Sequence, residues 1–185
     1  RARELGYLWL GLADHAPGTD HPYRITVHGF KRRLEAAHVA GERHSLRIYQ
    51  GLEADLDERG LQDIPAEIAD HLDYVLVSSH NPDLEISDRY LQALDDAFSL
   101  ELVRGYAHPF WMLDFHRYRS LIAEAVSLAV ARNVAVELNL YPDSIRANHF
   151  LLEETRRLGG TVILSTDAHH ANAMHLMRFA GAFLR

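Results

Sequence analysis

Six side chains in this sequence could do metal chemistry together: His15, Glu53, His80, His108, Asp167 and His169. Each sits near the end of a short apolar run. Histidine and carboxylate ligands without cysteine suit zinc, manganese or iron, and the chain has no cysteine. Four imidazoles and two carboxylates exceed what one tetrahedral ion needs, so two or three divalent ions are expected. A carboxylate such as Glu53 can bridge two of them. Closely spaced ions can produce a nucleophile near neutral pH and clamp both oxygens of a phosphoryl displacement. The Asp167-x-His169 spacing puts both side chains on one face where the chain is extended.

Taken singly, these signals are weak. A lone histidine is more often a hydrogen-bonded structural group, and Asp14-His15 is a common dipeptide. What separates them from the other histidines is recurrence at the same phase of successive units. His21, His28, His38, His44, His71, His149 and His175 lack that phase and read as surface or packing residues. His116 and His170 lie nearer the rim and are candidates for substrate contact. Asp14 and Asn139 are candidates for touching substrate or for supporting the metal-binding side chains from behind. Asn139, nearer its strand end, is favoured over Glu137 as the one facing the site. Arg117, Arg146 and Arg178 are the candidate phosphate-positioning cations, with Arg117 and Arg178 foremost.

The elements that must position these groups alternate regularly. Strands are expected over 7–13, 46–54, 72–78, 100–107, 134–140 and 161–165. The run 72–78 (LDYVLVS) is nearly all apolar, as in a strand covered on both faces. Helical spacing appears over 24–40, 66–71, 87–98 with Ser87 as N-cap, 118–132 and 144–158, and a last helix runs to 183. Gly159-Gly160 closes the fifth of these. The polar stretch 55–65 reads as a hairpin or loop. Such alternation indicates βαβ units and a parallel sheet, either doubly wound or closed as a barrel. Active sites of parallel folds form at the carboxyl ends of the strands, where the six residues fall.

Bulk properties narrow the function classes. The 185 residues are 48% hydrophobic and 24% charged, which suits one globular domain. A net charge of -7 gives no overall basic footprint for nucleic acid. No apolar run reaches membrane-spanning length, and no signal peptide is visible. The absence of cysteine leaves a cytoplasmic setting as the default. Oligomeric state is not legible.

The motifs ARELGYLWLGLADH, GLEADL, VLVSSH, GYAHP, VELN and ILSTDAH, in this order, resemble the polymerase and histidinol phosphatase (PHP) superfamily. The likeness spans essentially the whole chain. It implies a distorted (β/α)7 TIM-like barrel, a trinuclear metal centre and phosphoester hydrolysis. It assigns metal roles to His15, Glu53, His80, His108, Asp167 and His169, with Glu53 bridging. Glu53, Asp167 and His169 are the expected catalytic members. The family's opening strand, with its His-x-His motif, has no counterpart here. The expectation is therefore one N-terminally truncated domain over 1–185, with six strands visible. Three functions fit: a phosphatase acting on a phosphorylated small molecule such as histidinol phosphate; a nuclease-type domain of an X-family polymerase acting on a nucleic-acid 3' end; or a degenerate interaction domain. The intact ligand set argues against the third.

Overall fold

Six parallel strands follow one another across the sheet in chain order. The computed structural model describes residues 1–18, 21–62, 64–142 and 145–182. The strands are β1 (Trp9–His15), β2 (Arg47–Asp57), β4 (Tyr74–Ser78), β5 (Val103–Tyr106), β6 (Ala135–Asn139) and β7 (Val162–Ser165). They pair in the order β1-β2-β4-β5-β6-β7, and the sheet curls into half a barrel. A doubly wound sheet would reverse direction at a switch point. This one does not, which resolves the choice the sequence left open in favour of barrel-type winding. The expected hairpin in 55–65 is present as a two-residue strand, β3 (Gly60–Leu61), antiparallel to the end of β2.

The helices α1 (Val27–His44), α2 (Ala66–Ala69), α3 (Pro82–Glu85), α4 (Tyr90–Phe98), α5 (Arg119–Ala131) and α6 (Asn148–Arg157) connect the strands. Thr26 caps α1, its side chain accepting from the Gly29 N–H. After α6 the chain turns at Gly159, where φ is 72°, and the Gly160 N–H returns to the Thr155 carbonyl. Two helix expectations change. Ser87 is no N-cap: its hydroxyl donates to the Leu84 carbonyl. Asn81 caps the separate turn α3 instead, accepting from Asp83 and Leu84, and Pro82 favours starting it there. The last helix is a 3-10 segment, Ala173–Ala182. Ser144 and Phe183, the expected ends of two helices, lie outside the described residues.

Side chains alternate across the sheet. Leu52, Ala54, Leu56, Val75, Val77, Tyr106, Val136 and Leu138 face the helices and meet Phe30, Leu94, Ile122, Val126 and Leu151 in one core. Each fully buried aliphatic there stabilises the fold by about 1.5–3 kcal/mol. The other face is the barrel interior. It carries Gly51, Glu53 and Asp55 of β2 opposite Tyr74, Leu76 and Ser78 of β4. Gly51 makes room for the Tyr74 ring: a β-carbon there would lie 2.3 Å from it. The Tyr74 hydroxyl crosses on to the Leu12 carbonyl of β1, 3.0 Å away. The lower interior is thus filled by side chains, and the polar groups collect above it.

Candidate metal centre

Because all six strands are parallel, their carboxyl ends share one edge. β1 brings His15 there, register-paired with Glu53 of β2. Two residues beyond β4 comes His80, and two beyond β5 comes His108. The His108 Nε2 is 2.9 Å from Glu53 Oε1, and the His80 Nε2 is 3.8 Å from that same oxygen. The His15 and His80 rings lie 5.3 Å apart, and those of His80 and His108 5.2 Å. One ligand atom each from His15, Glu53, Asp55 and His80 falls within 4.8 Å of the others. His15, Glu53 and His108 are buried; His80 is half-buried.

The electrostatics reflect this crowding. Burial by itself would raise the Glu53 carboxyl. The His108 hydrogen bond and the charges of His108, His15 and His80 outweigh it and hold the group at about 2. Burial would likewise lower His108, but Glu53 above all, then Glu137 and Asp167, push it up to about 9. His15 is lowered, chiefly by burial. The Nδ1 atoms of His15 and His108 are both buried without a hydrogen-bond partner in the protein. The His108 and His80 Nε2 atoms both face one oxygen of the ionised Glu53 carboxylate, with the His15 ring beside them. Imidazole nitrogens gathered around a carboxylate are ligands a divalent metal accepts in place of protons, so this donor set fits one.

The β7 end is different. Asp167 is half-buried with φ at 44°, and His169 is exposed. The His169 Nδ1 lies 3.0 Å from the Asp167 carbonyl oxygen and 3.6 Å from its carboxylate. Its ring is 6.1 Å from that of Tyr23, which is exposed. His108 also has positive φ, at 25°. Backbone held in this region is costly for residues other than glycine and tends to mark functional sites.

Several placements differ from expectation. Glu137 and Asn139 do not diverge. Residues two apart on a strand share a face, and both are buried in the barrel interior. The Asn139 amide reaches Glu137 Oε2 at 3.5 Å, and the His108 backbone N–H donates to the same oxygen at 2.5 Å. Glu137 is therefore the group that touches the site's backbone. His21, read as a surface residue, stacks on His15 with centroids 3.6 Å apart and lies 5.4 Å from His80. It comes from the loop after β1, where no periodicity flags a position. Asp55, which the sequence expectations do not include, also lies in the cluster; its i+2 relation to Glu53 on one strand face is the signal for it. Asp14 points to the opposite face from His15, where Arg33 of α1 pairs with it. Arg117 lies over the Tyr118 ring, and Arg146 and Arg178 are exposed. Among the other histidines, His38 and His149 pair with Glu42 and Glu153 one turn on, along exposed helix faces. His116 and His170 are exposed.

No family model matches the chain. It is 26% identical over 176 residues to the DNA polymerase/3'-5' exonuclease PolX of Bacillus subtilis, covering 94% of this chain and 31% of that protein. A probable phosphatase of Aliivibrio fischeri is 29% identical over 183 residues, covering 91% of this chain and 68% of that protein. One from Clostridium acetobutylicum is 26% identical over 182 residues, with 91% and 69% covered. The chain thus spans about a third of the length of PolX and just over two thirds of the phosphatases. The structure resembles the histidinol phosphate phosphatase of Lactococcus lactis, crystallised with zinc, L-histidinol and phosphate. The TM-score is 0.65 at 18% identity, over 96% of this chain and 82% of that one. The relatives and the shared fold together point to the polymerase and histidinol phosphatase superfamily.

Proposed function

We propose that this chain is a metal-dependent phosphoesterase, a hydrolase acting on phosphoester bonds. The observation that carries the reading is the convergence of His80 and His108 on Glu53 Oε1 beside His15, at the carboxyl edge of a parallel sheet. His15, Glu53, His80 and His108 would hold a first cation. Asp167 and His169, a strand end away, would contribute to a second, and Glu53 would be the carboxylate that serves both. Bound divalent cations supply Lewis-acid stabilisation of a phosphoryl centre and make water a competent nucleophile. The protein's own groups bind and orient. Glu53 is ionised across the neutral range, so it can offset two positive centres. Trp111, with its ring 6.3 Å from His80 and 6.0 Å from His108, and the exposed Tyr23 border the opening where substrate would enter.

Zinc is the metal favoured by the Lactococcus structure, and manganese and iron accept the same ligands. Phosphorylated small molecules are the substrate class favoured by that structure and by the two phosphatases. The PolX likeness supports a second reading, hydrolysis at a nucleic-acid 3' end. One experiment separates them. Metal content is measured on purified protein. Release of phosphate from p-nitrophenyl phosphate and a panel of phosphomonoesters is then compared with shortening of a 3'-labelled oligonucleotide, with and without chelator. Hydrolysis of neither class by metal-loaded protein would overturn the proposal.

A further inference from the structure

We infer that Asp55 is a positioning residue: it holds His80 in the tautomer and orientation that present Nε2 to the cation. The inference rests on the metal-dependent reading above and assigns this residue a role outside the ligand set.

Asp55 and Glu53 share the interior face of β2, two residues apart, and Asp55 is in register with Ser78 of β4. Its Oδ1 accepts two hydrogen bonds from the end of β4. The Ser78 hydroxyl donates at 2.7 Å, and the His80 Nδ1 lies at 2.7 Å. Asp55 and Ser78 are both buried, so water competes little for these bonds. A carboxylate can only accept, so His80 must carry its proton on Nδ1. That leaves Nε2 as the bare nitrogen, and it faces Glu53 Oε1 at 3.8 Å. The separation is too long for a hydrogen bond. It suits two ligand atoms directed at a common point. The arrangement is carboxylate, imidazole, metal, in which the outer carboxylate fixes the ring and makes it a stronger donor. Asp55 also lies close enough to be a ligand itself. The two bonds already made by Oδ1 favour the positioning role.

The test uses the full chain with zinc. Affinity is read by competition with a colorimetric chelator, stoichiometry by elemental analysis, and the His80 tautomer by NMR of 15N-histidine-labelled protein. Asp55→Ala should weaken the tightest site by about 10–100-fold and release His80 from the Nδ1–H form. Asp55→Asn should hold affinity within a few-fold of wild type, because its amide oxygen still accepts the Nδ1 proton. Ser78→Ala, which touches no ligand, should shift affinity in the same direction by a few-fold. Equal losses in Asp55→Ala and Asp55→Asn would make Asp55 a direct ligand and overturn the inference. So would unchanged affinity and tautomer in Asp55→Ala. Wild-type protein that takes up no divalent cation would overturn the metal-dependent reading itself, and this inference with it.

Discussion

The edge formed by β2, β4 and β5 and the edge formed by β7 contribute to the same candidate centre in different ways. In the first, each group is fixed by a protein partner. Glu53 is buried against His108, His80 is tied to Asp55, and the His108 backbone is tied to Glu137. The strand beneath is buried too: β2 is buried from Gln50 through Leu56. In the second, β7 is only half-buried along its length, and it ends the sheet among the described residues. Asp167 and His169 follow it, with His169 leaning on its own neighbour's carbonyl. A buried, hydrogen-bonded ligand loses little freedom when it binds; an exposed one must be ordered at that moment. The first edge should therefore hold a cation tightly and the second more weakly.

The strongest way to break this comparison is at Glu53. Glu53→Gln keeps the shape but removes the charge that balances the cations. It should lower hydrolysis by about 100-fold or more, some 3 kcal/mol of barrier, with loss of bound metal from both edges. Circular dichroism should show the fold retained. Full activity at full metal occupancy would disprove the central place given to Glu53.

Glu137 tests whether the first edge is held from behind. Glu137→Leu leaves the buried His108 N–H without an acceptor. The expected cost is about 1–3 kcal/mol of stability by urea unfolding, with weaker metal uptake alongside. A variant as stable as wild type would show that the strained turn at His108 needs no clamp.

Glu85 probes the same wall through pH. It is buried at the end of α3, and its Oε2 has no hydrogen-bond partner. Burial raises its carboxyl to about 7, against the lowering effect of His108, His80 and Ser79. The folded protein then binds this proton more tightly than the unfolded chain. Stability from the protonated group is present in acid and declines as pH rises from about 4.5 through about 7. Glu85→Gln, which cannot ionise, should be more stable than wild type by about 1–2 kcal/mol at pH 8 and indistinguishable at pH 4.5. Thermal unfolding in chelator at the two pH values reads this directly. A constant difference across pH would refute it.

The smallest effect is expected at the second edge. His169→Ala should cost about tenfold in hydrolysis, near 1.4 kcal/mol, and remove about one ion per chain. The tight ion and the unfolding temperature should be unchanged. Loss of all metal in this variant would erase the distinction between the edges.

Much of this was legible in order and type. Apolar runs separated by helical spacing placed the strands in chain order, because a strand covered on both faces needs such runs whatever surrounds it. The residues closing those runs were marked by being polar where a core would not tolerate them. Boundaries moved by two or three residues: β1 reaches His15, and β2 continues to Asp57. Pairing with a neighbour decides where a strand stops, and pairing is not local. The Ser87 cap failed for a similar reason, since Asn81 and Pro82 begin a separate turn that takes the serine as its own terminus.

The sequence by itself determined which chemical groups this protein can bring to a cation, and the parallel sheet edge on which they would gather. Composition and phase along each strand suffice for that. Tertiary structure alone decided which group touches which. His21 reaches His15 through a loop, Asp55 meets His80 across β2 and β4, and Glu137 reaches the His108 backbone from 29 residues away. The first depends on how the loop after β1 folds back, and the other two join separate strands, formed only when the sheet brings its strand ends together. The pairing of opposite charges that holds Glu53 near 2 and His108 near 9, against the burial of both, arises in the same step, because a pKa is shifted by its surroundings and those surroundings are assembled by the fold.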